Sequence, residues 1–140
     1  MRIIGTVYLE DGKTPAEGIT LFVYQTDATG RYNATNDVFN PRIHGWVRTD
    51  RDGHYEFSSI RPGPYPNGRE PAHIHVHTFG PGRPEWFIDE YLFGDDPLLP
   101  EGKRALPKTM AAFSPVVELR RGADGVLQGK RDIRLEAPRK

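Results

Sequence analysis

The segment from Pro71 to His77 constrains this chain more than any other, because histidines alternate with apolar residues along it. Histidines occupy positions 73, 75 and 77, and Ile74 and Val76 lie between them. Alternate side chains of a β-strand point to the same face, and those two residues apart begin roughly 6.6 Å from each other. Two imidazoles at that spacing can bind one metal ion. A polar strand face, or hydrogen-bonded core histidines, would give the same pattern, so the run alone leaves these alternatives open.

The charge balance favours a small neutral partner. Nineteen basic and nineteen acidic residues give a formal net charge of zero. No block of lysine and arginine is present that would follow a phosphate backbone or an anionic bilayer. We therefore expect neither nucleic acid nor membrane as a partner, whereas a homo-oligomer is compatible with the sequence.

The residue inventory narrows both the domain count and the chemistry. With 140 residues, 36% of them hydrophobic, residues 1–140 are expected to form one domain. The chain has no cysteine, so His, Asp, Glu and Tyr are the candidate metal ligands. The first residues lack the apolar stretch of a secretory signal and no segment approaches membrane-spanning length, which predicts a cytoplasmic location.

Turn-forming residues predict an all-β fold. Glycine (15) and proline (13) together make 28 of the 140 residues, which favours short strands over long helices. The regular strand spacing indicates a sandwich or barrel. The predicted strands are 3–9 and 19–25 as an opening meander, 46–49 and 54–57 as a hairpin, 73–79, 90–93, and a C-terminal hairpin of 116–120 and 126–135. Residues 97–110 are predicted to form a surface loop or one helical turn.

Two tyrosines upstream of the histidines extend the metal hypothesis. Tyr32 follows Gly30 and Arg31 at the end of the second strand region. Tyr65 stands between Pro64 and Pro66, and prolines on both sides restrict its backbone, so that its ring can be held in one direction. Either tyrosine alone is typical of a core or rim aromatic. Their combination with the histidine strand favours a metal site.

Four segments, taken together, resemble the intradiol ring-cleaving dioxygenases, the family of protocatechuate and catechol dioxygenases. The segments occur in family order: Gly30–Tyr32, Arg48–Phe57, Ile60–Pro66 and Pro71–His75. The resemblance spans roughly residues 3–97. It implies a single-domain β-sandwich with long loops.

The resemblance also implies one Fe(III) held by Tyr32 and Tyr65 as phenolates and by His73 and His75 as neutral imidazoles. A phenol with a pKa of about 10 ionises at neutral pH only beside a strong Lewis acid, which favours ferric iron. The implied reaction uses O2 to cleave a small catechol-type ring between its two hydroxylated carbons, giving a muconate-type diacid. Tyr65 would accept one of the substrate's protons.

Two glutamates depart from the family pattern. Glu70 stands where typical members have an arginine directly before Pro-Ala-His, and Glu90 where they usually have a glutamine on the substrate side. A carboxylate opposes negative charge that builds on the ring. We predict that Glu70 and Glu90 belong, with Tyr65, to the catalytic residues and change the substrate towards a cationic or hydrogen-bond-donating compound, or change the reaction. Exposure of both carboxylates to solvent is the alternative.

The remaining candidates receive structural roles. His77 has no ligand counterpart in the family, so we expect it to support the fold or the ligands. Trp46, Trp86 and Phe87 are expected in the core more than in a pocket. Two other functions stay open: iron-dependent oxidation of a phenolic compound without ring cleavage, and a non-catalytic β-sandwich that binds a partner.

Overall fold

Two β-sheets account for most of the computed structural model, which describes residues 1–104 and 113–137. Short segments rich in branched and aromatic residues form the strands, and glycine or proline follows most of them. The elements are β1 (Arg2–Tyr8), β2 (Thr20–Gln25), β3 (Ile43–Arg48), β4 (His54–Ser58), β5 (His73–Gly80), β6 (Arg83–Phe87), β7 (Tyr91–Phe93), α1 (Glu101–Arg104), β8 (Val116–Val117), β9 (Arg120–Arg121), β10 (Leu127–Lys130) and β11 (Ile133–Arg134). Within the described part of the chain, no helix has the length and apolar character needed to cross a bilayer.

Strand β1 joins the two halves of the first sheet, and strands β2 and β5 lie at the centre of the second. In the first sheet, β1 pairs with β4 antiparallel on one side and with β10 and β11 parallel on the other, and β9 extends β10. The second sheet has the order β3-β2-β5-β7-β8, and β6 also pairs with β5. The predicted all-β class is confirmed.

The core lies between the two sheets. Along β2 and the first half of β5, side chains buried in this core alternate with side chains that point outward. In β2 the side chains of Leu21 and Val23 are buried, and in β5 those of Ile74 and Val76. The first sheet and the short strands contribute further buried apolar side chains: Ile3, Val7, Tyr55, Tyr91, Phe93, Val117 and Ile133. Because side chains alternate along a strand, the residues between the buried ones must point away from the core. In β5 those residues are the histidines.

Two predicted strand pairings are wrong, although the strands themselves are present. β1 and β2 lie in different sheets, so the opening meander does not form. β3 and β4 also lie in different sheets, because β2 takes the hydrogen bonds of β3 and β1 takes those of β4. The turn between them closes with the Asp50 amide donating to His54 O and the Gly53 amide donating to Asp50 O. A tight turn therefore carries the chain from one sheet to the other.

Later elements match the predictions in part. After β5 the chain forms a tight turn at Pro81 and Gly82 and returns as β6. The sequence did not predict this strand, because Pro84 lies within it and Pro81 stands just before it. The strand near residues 90–93 is present as β7, and β9 and β10 form the C-terminal hairpin. Of the predicted loop or helical turn at 97–110, residues 101–104 form one helical turn and residues 105–112 lie outside the described residues.

Three large aromatic residues predicted for the core are exposed. Trp46 is 63% exposed, Phe87 66% and Trp86 39%. Trp46 lies on the outer face of the second sheet, because the inward positions of β3 are held by Ile43 and Val47. The Trp46 ring stacks at 4.9 Å on that of Phe22, which is also on the outer face.

A buried polar cluster ties the two sheets together. Tyr55 donates a 2.7 Å hydrogen bond from its hydroxyl to the carbonyl oxygen of Arg131, and the hydroxyl of Tyr91 donates to that of Tyr55 at 3.0 Å. The Arg131 guanidinium lies 4.5 Å from the centre of the Tyr91 ring. Burial raises the pKa of Tyr91 to about 12, so both phenols remain neutral donors.

Substitution Tyr55→Phe is expected to lower the free energy of unfolding by about 1–3 kcal/mol, because it removes one buried hydrogen bond and leaves the Tyr91 hydroxyl without its acceptor. Denaturant unfolding measures the change. Tyr8→Phe is the control, since Tyr8 is half-buried and contacts Phe113 only through its ring. Equal stability of the two variants would contradict a stabilising role for the cluster.

Candidate metal centre

Strand β5 places two imidazoles side by side on the outer face of the second sheet. The Nε2 atoms of His73 and His75 are 3.2 Å apart. Nδ1 of His73 lies 2.8 Å from the carbonyl oxygen of Pro71, and an N–H donated there leaves the Nε2 lone pair free for a metal. Tyr24, the partner of His75 across the β2–β5 ladder, stacks on the His75 ring at 4.7 Å. The strand and its neighbours thus fix both rings.

Both predicted tyrosines direct their hydroxyl groups at these imidazoles. The Tyr32 oxygen is 2.5 Å from the Tyr65 oxygen and 2.8 Å from Nε2 of His75. The Tyr65 oxygen is 3.2 Å from Nε2 of His73 and 3.4 Å from Nε2 of His75. Ligand atoms that each lie about 2.0–2.2 Å from one ion are separated from adjacent ligand atoms by roughly 2.8–3.5 Å. With that between the two imidazole nitrogens included, four of these five separations lie in this range and the one between the two phenol oxygens is shorter, so the four atoms are close enough together to share one ion.

The two tyrosines lie on loops whose backbones touch. Gly30 has a φ of 80°, and a Cβ atom there would stand 2.0 Å from the carbonyl oxygen of Pro64. On the other loop, a Cβ atom at Gly63 would stand 2.4 Å from the carbonyl oxygen of Ala28. The Gly63 amide donates a 2.8 Å hydrogen bond to the carbonyl oxygen of Asp27. Only glycine permits this approach, which brings the two phenols together.

Burial favours the neutral forms of both phenols and of the His75 imidazole in the absence of a metal. It raises the pKa of Tyr32 far above its ordinary value, and the hydrogen bond with Tyr65 adds to the effect. Burial also raises the pKa of Tyr65; the hydrogen bond with Tyr32 opposes this rise, and the charges of Glu70 and Glu90 add smaller contributions in the same direction as burial. For His75, burial and the neighbouring His73 lower the pKa to about 4. Both phenols would therefore ionise only beside a strong Lewis acid.

A cavity of about 220 Å³ opens directly onto this cluster. Its lining residues are Tyr65, Glu70, Pro71, His73, His75, Glu90, Leu92, Pro100 and Lys103. Tyr32 is absent from the lining and only 4% exposed, so Tyr65 is the phenol that a bound molecule can reach. The structure thus brings Tyr65, Glu70 and Glu90 to one cavity. The sequence did not point to Lys103, because its pocket position depends on how the segment after β7 folds back.

His77, the third histidine of the run, lies away from the four donor atoms. Its Nδ1 is 2.6 Å from a carboxylate oxygen of Glu85, and the Phe87 ring packs against it at 3.8 Å. Its buried Nε2 has no hydrogen-bond partner in the part of the chain that the structure describes. His77 lies two residues beyond His75 on β5, and this position places its imidazole among aromatic rings instead of at the cluster.

A second group of potential ligands has the geometry of a turn. Asp50, Asp52 and His54 are all exposed, and their ligand atoms lie within 4.8 Å of one another. One oxygen of Asp50 already accepts the backbone amides of Asp52 and His54, each at 2.9 Å. This arrangement stabilises the turn between β3 and β4, and the cluster at Tyr32, Tyr65, His73 and His75 is the better candidate.

A protein-family model described as dioxygenase matches residues 1–122. The chain belongs to the intradiol ring-cleavage dioxygenase family. It is 34% identical over 102 residues to the protocatechuate 3,4-dioxygenase beta chain of Burkholderia cepacia, covering 65% of this chain and 43% of that one. It is 32% identical over 119 residues to the chlorocatechol 1,2-dioxygenase of Rhodococcus opacus, covering 71% of this chain and 45% of that one. The chain therefore spans less than half the length of these two relatives.

Solved structures of this intradiol family share the fold. The dioxygenase domain of a dioxygenase and carbohydrate-binding protein fusion from Streptomyces sp. SirexAA-E superposes with a TM-score of 0.71 at 27% identity, covering 96% of this chain and 78% of that one. Catechol 1,2-dioxygenase of Acinetobacter sp. ADP1 superposes with a TM-score of 0.67 over 96% of this chain and 51% of that one. At 19% identity, this second likeness supports the fold alone.

Substitution Gly30→Ala is expected to weaken Fe(III) binding by about 10- to 100-fold, because the new methyl group would force apart the two loops that carry the tyrosines. Titration of the metal-free protein with Fe(III), followed by visible absorption, measures the affinity. The matched control is Gly45→Ala, since a Cβ atom at Gly45 meets no atom within 4 Å among the described residues. Parental affinity in Gly30→Ala would show that the loop contact does not position the phenols.

Proposed function

We propose that this chain binds one Fe(III) through Tyr32, Tyr65, His73 and His75, and that it cleaves a small catechol between its hydroxylated carbons. The observation that carries the proposal is the convergence of two phenol oxygens and two imidazole nitrogens, with separations of 2.5–3.4 Å between neighbouring atoms. Membership in the intradiol family supports the same activity. In the overall reaction both atoms of O2 enter the product, which is a muconate-type diacid.

The donor set fits ferric iron better than other common metals. Zinc and copper sites are built mainly from imidazole and thiolate, whereas two phenols with raised pKa values need a hard ion of high charge to ionise. Two phenolates and one hydroxide neutralise three positive charges, so the half-buried site would carry no net charge. When bound, Fe(III) would act as a Lewis acid and template that prepares the catechol for O2.

The donor residues and the cavity-lining residues have different roles, which follow from their exposure. Tyr32 is the most enclosed donor, and Tyr24 stacks against His75, so this side of the site holds its geometry. Tyr65 faces the cavity, and its hydroxyl oxygen is placed to accept one of the two hydroxyl protons of a bound catechol. Leu92 and Pro100 provide apolar walls for an aromatic ring. We assign catalytic roles to Tyr65, Glu70 and Glu90.

The proposal extends to the setting in which the chain works. We propose that residues 1–140 act as one domain in the cytoplasm, with a small aromatic compound and O2 as partners and without nucleic acid or membrane. The net charge of zero supports this choice of partners.

Substitutions Tyr65→Phe and His73→Ala are each expected to lower the bound iron per chain at least about tenfold, because each removes one donor atom from the cluster. Elemental analysis gives the iron content. Ferric phenolates absorb strongly in the visible, so the parent protein should be reddish and the Tyr65→Phe protein paler. Tyr8→Phe and His44→Ala are the matched controls, since neither residue belongs to this cluster or to the group at Asp50, Asp52 and His54. Parental iron content in the two donor variants would refute the ligand assignment.

Iron-loaded protein is expected to consume one O2 per catechol and to yield a ring-opened diacid. An oxygen electrode and mass spectrometry of the product, with isotopically labelled O2, test this stoichiometry. Oxygen uptake with an intact ring in the product would indicate a different iron-dependent oxidation. Iron binding without oxygen uptake on any catechol would favour a non-catalytic binding protein.

A further inference from the structure

The cavity beside the four donor atoms has an excess of negative side chains. Glu70 and Glu90 both line it, and Lys103 is the cationic side chain among its lining residues. In the part of the chain that the structure describes, neither glutamate forms an ion pair or a hydrogen bond. Among the described residues, the two carboxylates are therefore charges that a bound molecule would meet without competition from a protein partner.

The field of these carboxylates reaches the place where a catechol would bind. Glu70 and Glu90 line the same cavity as Tyr65, His73 and His75, so both carboxylates stand beside the donor atoms that a bound catechol would meet. A catechol that gives up hydroxyl protons at this site becomes negative, and nearby carboxylates disfavour that charge. An anionic substituent on the ring would add a second repulsion, whereas a cationic one would supply the missing counter-charge.

We propose, building on the proposed function, that this cavity selects catechols that carry a protonated amine on a ring substituent, with Glu70 and Glu90 as the specificity-determining residues. At about 220 Å³ the cavity lies below the roughly 300–1,000 Å³ of common ligand pockets, so the substrate is a single ring with a short chain. Glu90 is partly buried and Glu70 is exposed, so solvent and salt screen the charge of Glu90 less.

The test compares three catechols that carry an aminoethyl, a hydroxyethyl or a carboxymethyl chain at the same ring carbon. These substrates are similar in size and differ in charge. For the iron-loaded parent, we expect kcat/KM to fall in that order, with the amine about tenfold above the neutral compound and the acid below it. The preference should shrink as ionic strength rises from about 0.01 to 0.5 M, because salt screens charges at a partly exposed site.

Single substitutions locate the cause of the preference. Glu90→Gln and Glu70→Gln should each reduce the amine-to-acid ratio of kcat/KM, Glu90→Gln by about tenfold and Glu70→Gln by less. Lys103→Gln should raise the ratio, because it removes the opposing charge from the same wall. Glu17→Gln is the matched control, since Glu17 is exposed and outside the cavity lining. The ratio, unlike kcat alone, is insensitive to a general loss of folded protein.

The outcomes separate this inference from the proposed function. Ring cleavage of all three catechols without a charge preference, or with a preference that the glutamate substitutions leave unchanged, would overturn the inference and keep the proposed function. Absence of cleavage with every catechol would overturn the proposed function. In that case, the change in visible absorption when each catechol is added to the iron-loaded protein still measures its affinity. If the amine-bearing catechol binds more tightly than the acid-bearing one, and Glu90→Gln removes this difference, the result would support charge selection without supporting ring cleavage.

Discussion

The alternation of side chains along β5 is the constraint on which both the core and the candidate site depend. Ile74 and Val76 are buried between the sheets, and the same register turns His73 and His75 outward to meet at 3.2 Å. A slip of one residue in the β2–β5 ladder would exchange the two sets, burying imidazoles and exposing apolar side chains. The hydrophobic effect that fixes the register of the core therefore also fixes the direction of the imidazoles.

The tyrosines reach the same point by a different route. They stand on irregular loops, where no ladder of hydrogen bonds sets the direction of a side chain. Close backbone contact at Gly30 and Gly63 replaces the ladder, and the hydroxyl of Thr26 donates to the Gly63 carbonyl oxygen at 2.8 Å. The site thus combines two imidazoles oriented by a strand with two phenols oriented by loop packing.

Local patterns in the sequence were enough to predict most of the strands, whereas the four candidate donor residues were predicted from the histidine run together with the resemblance to the intradiol family. The period-two alternation in β2 and β5 and the prolines around Tyr65 are local signals, and they identified elements and candidate ligands. Local patterns did not predict which strands pair with each other. The turn after Arg48 has every local property of a hairpin turn, yet β3 and β4 join different sheets because their longer-range partners β2 and β1 satisfy their hydrogen bonds.

Exposure was also difficult to predict, since it depends on which face of a sheet another layer covers. Trp46 has a large apolar side chain of the kind usually buried in a core, but it lies on the outer face of the second sheet. The position of Lys103 in the cavity wall depends on a return of the chain after β7, which no motif encodes. The glutamates at 70 and 90 could be singled out only by their departure from a family pattern, and their common cavity became visible in the folded chain.

The charged side chains of the cavity wall lie on segments separate from those that carry the donor cluster. Glu70 precedes the histidine strand, Glu90 precedes β7 and Lys103 lies on α1, so none of these side chains takes part in the core or in the contact between the tyrosine loops. A chain with this layout can alter the compounds it accepts through single exchanges at its periphery while the inner scaffold stays the same. Diversification of ligand preference and preservation of architecture are thus assigned to different parts of one small molecule.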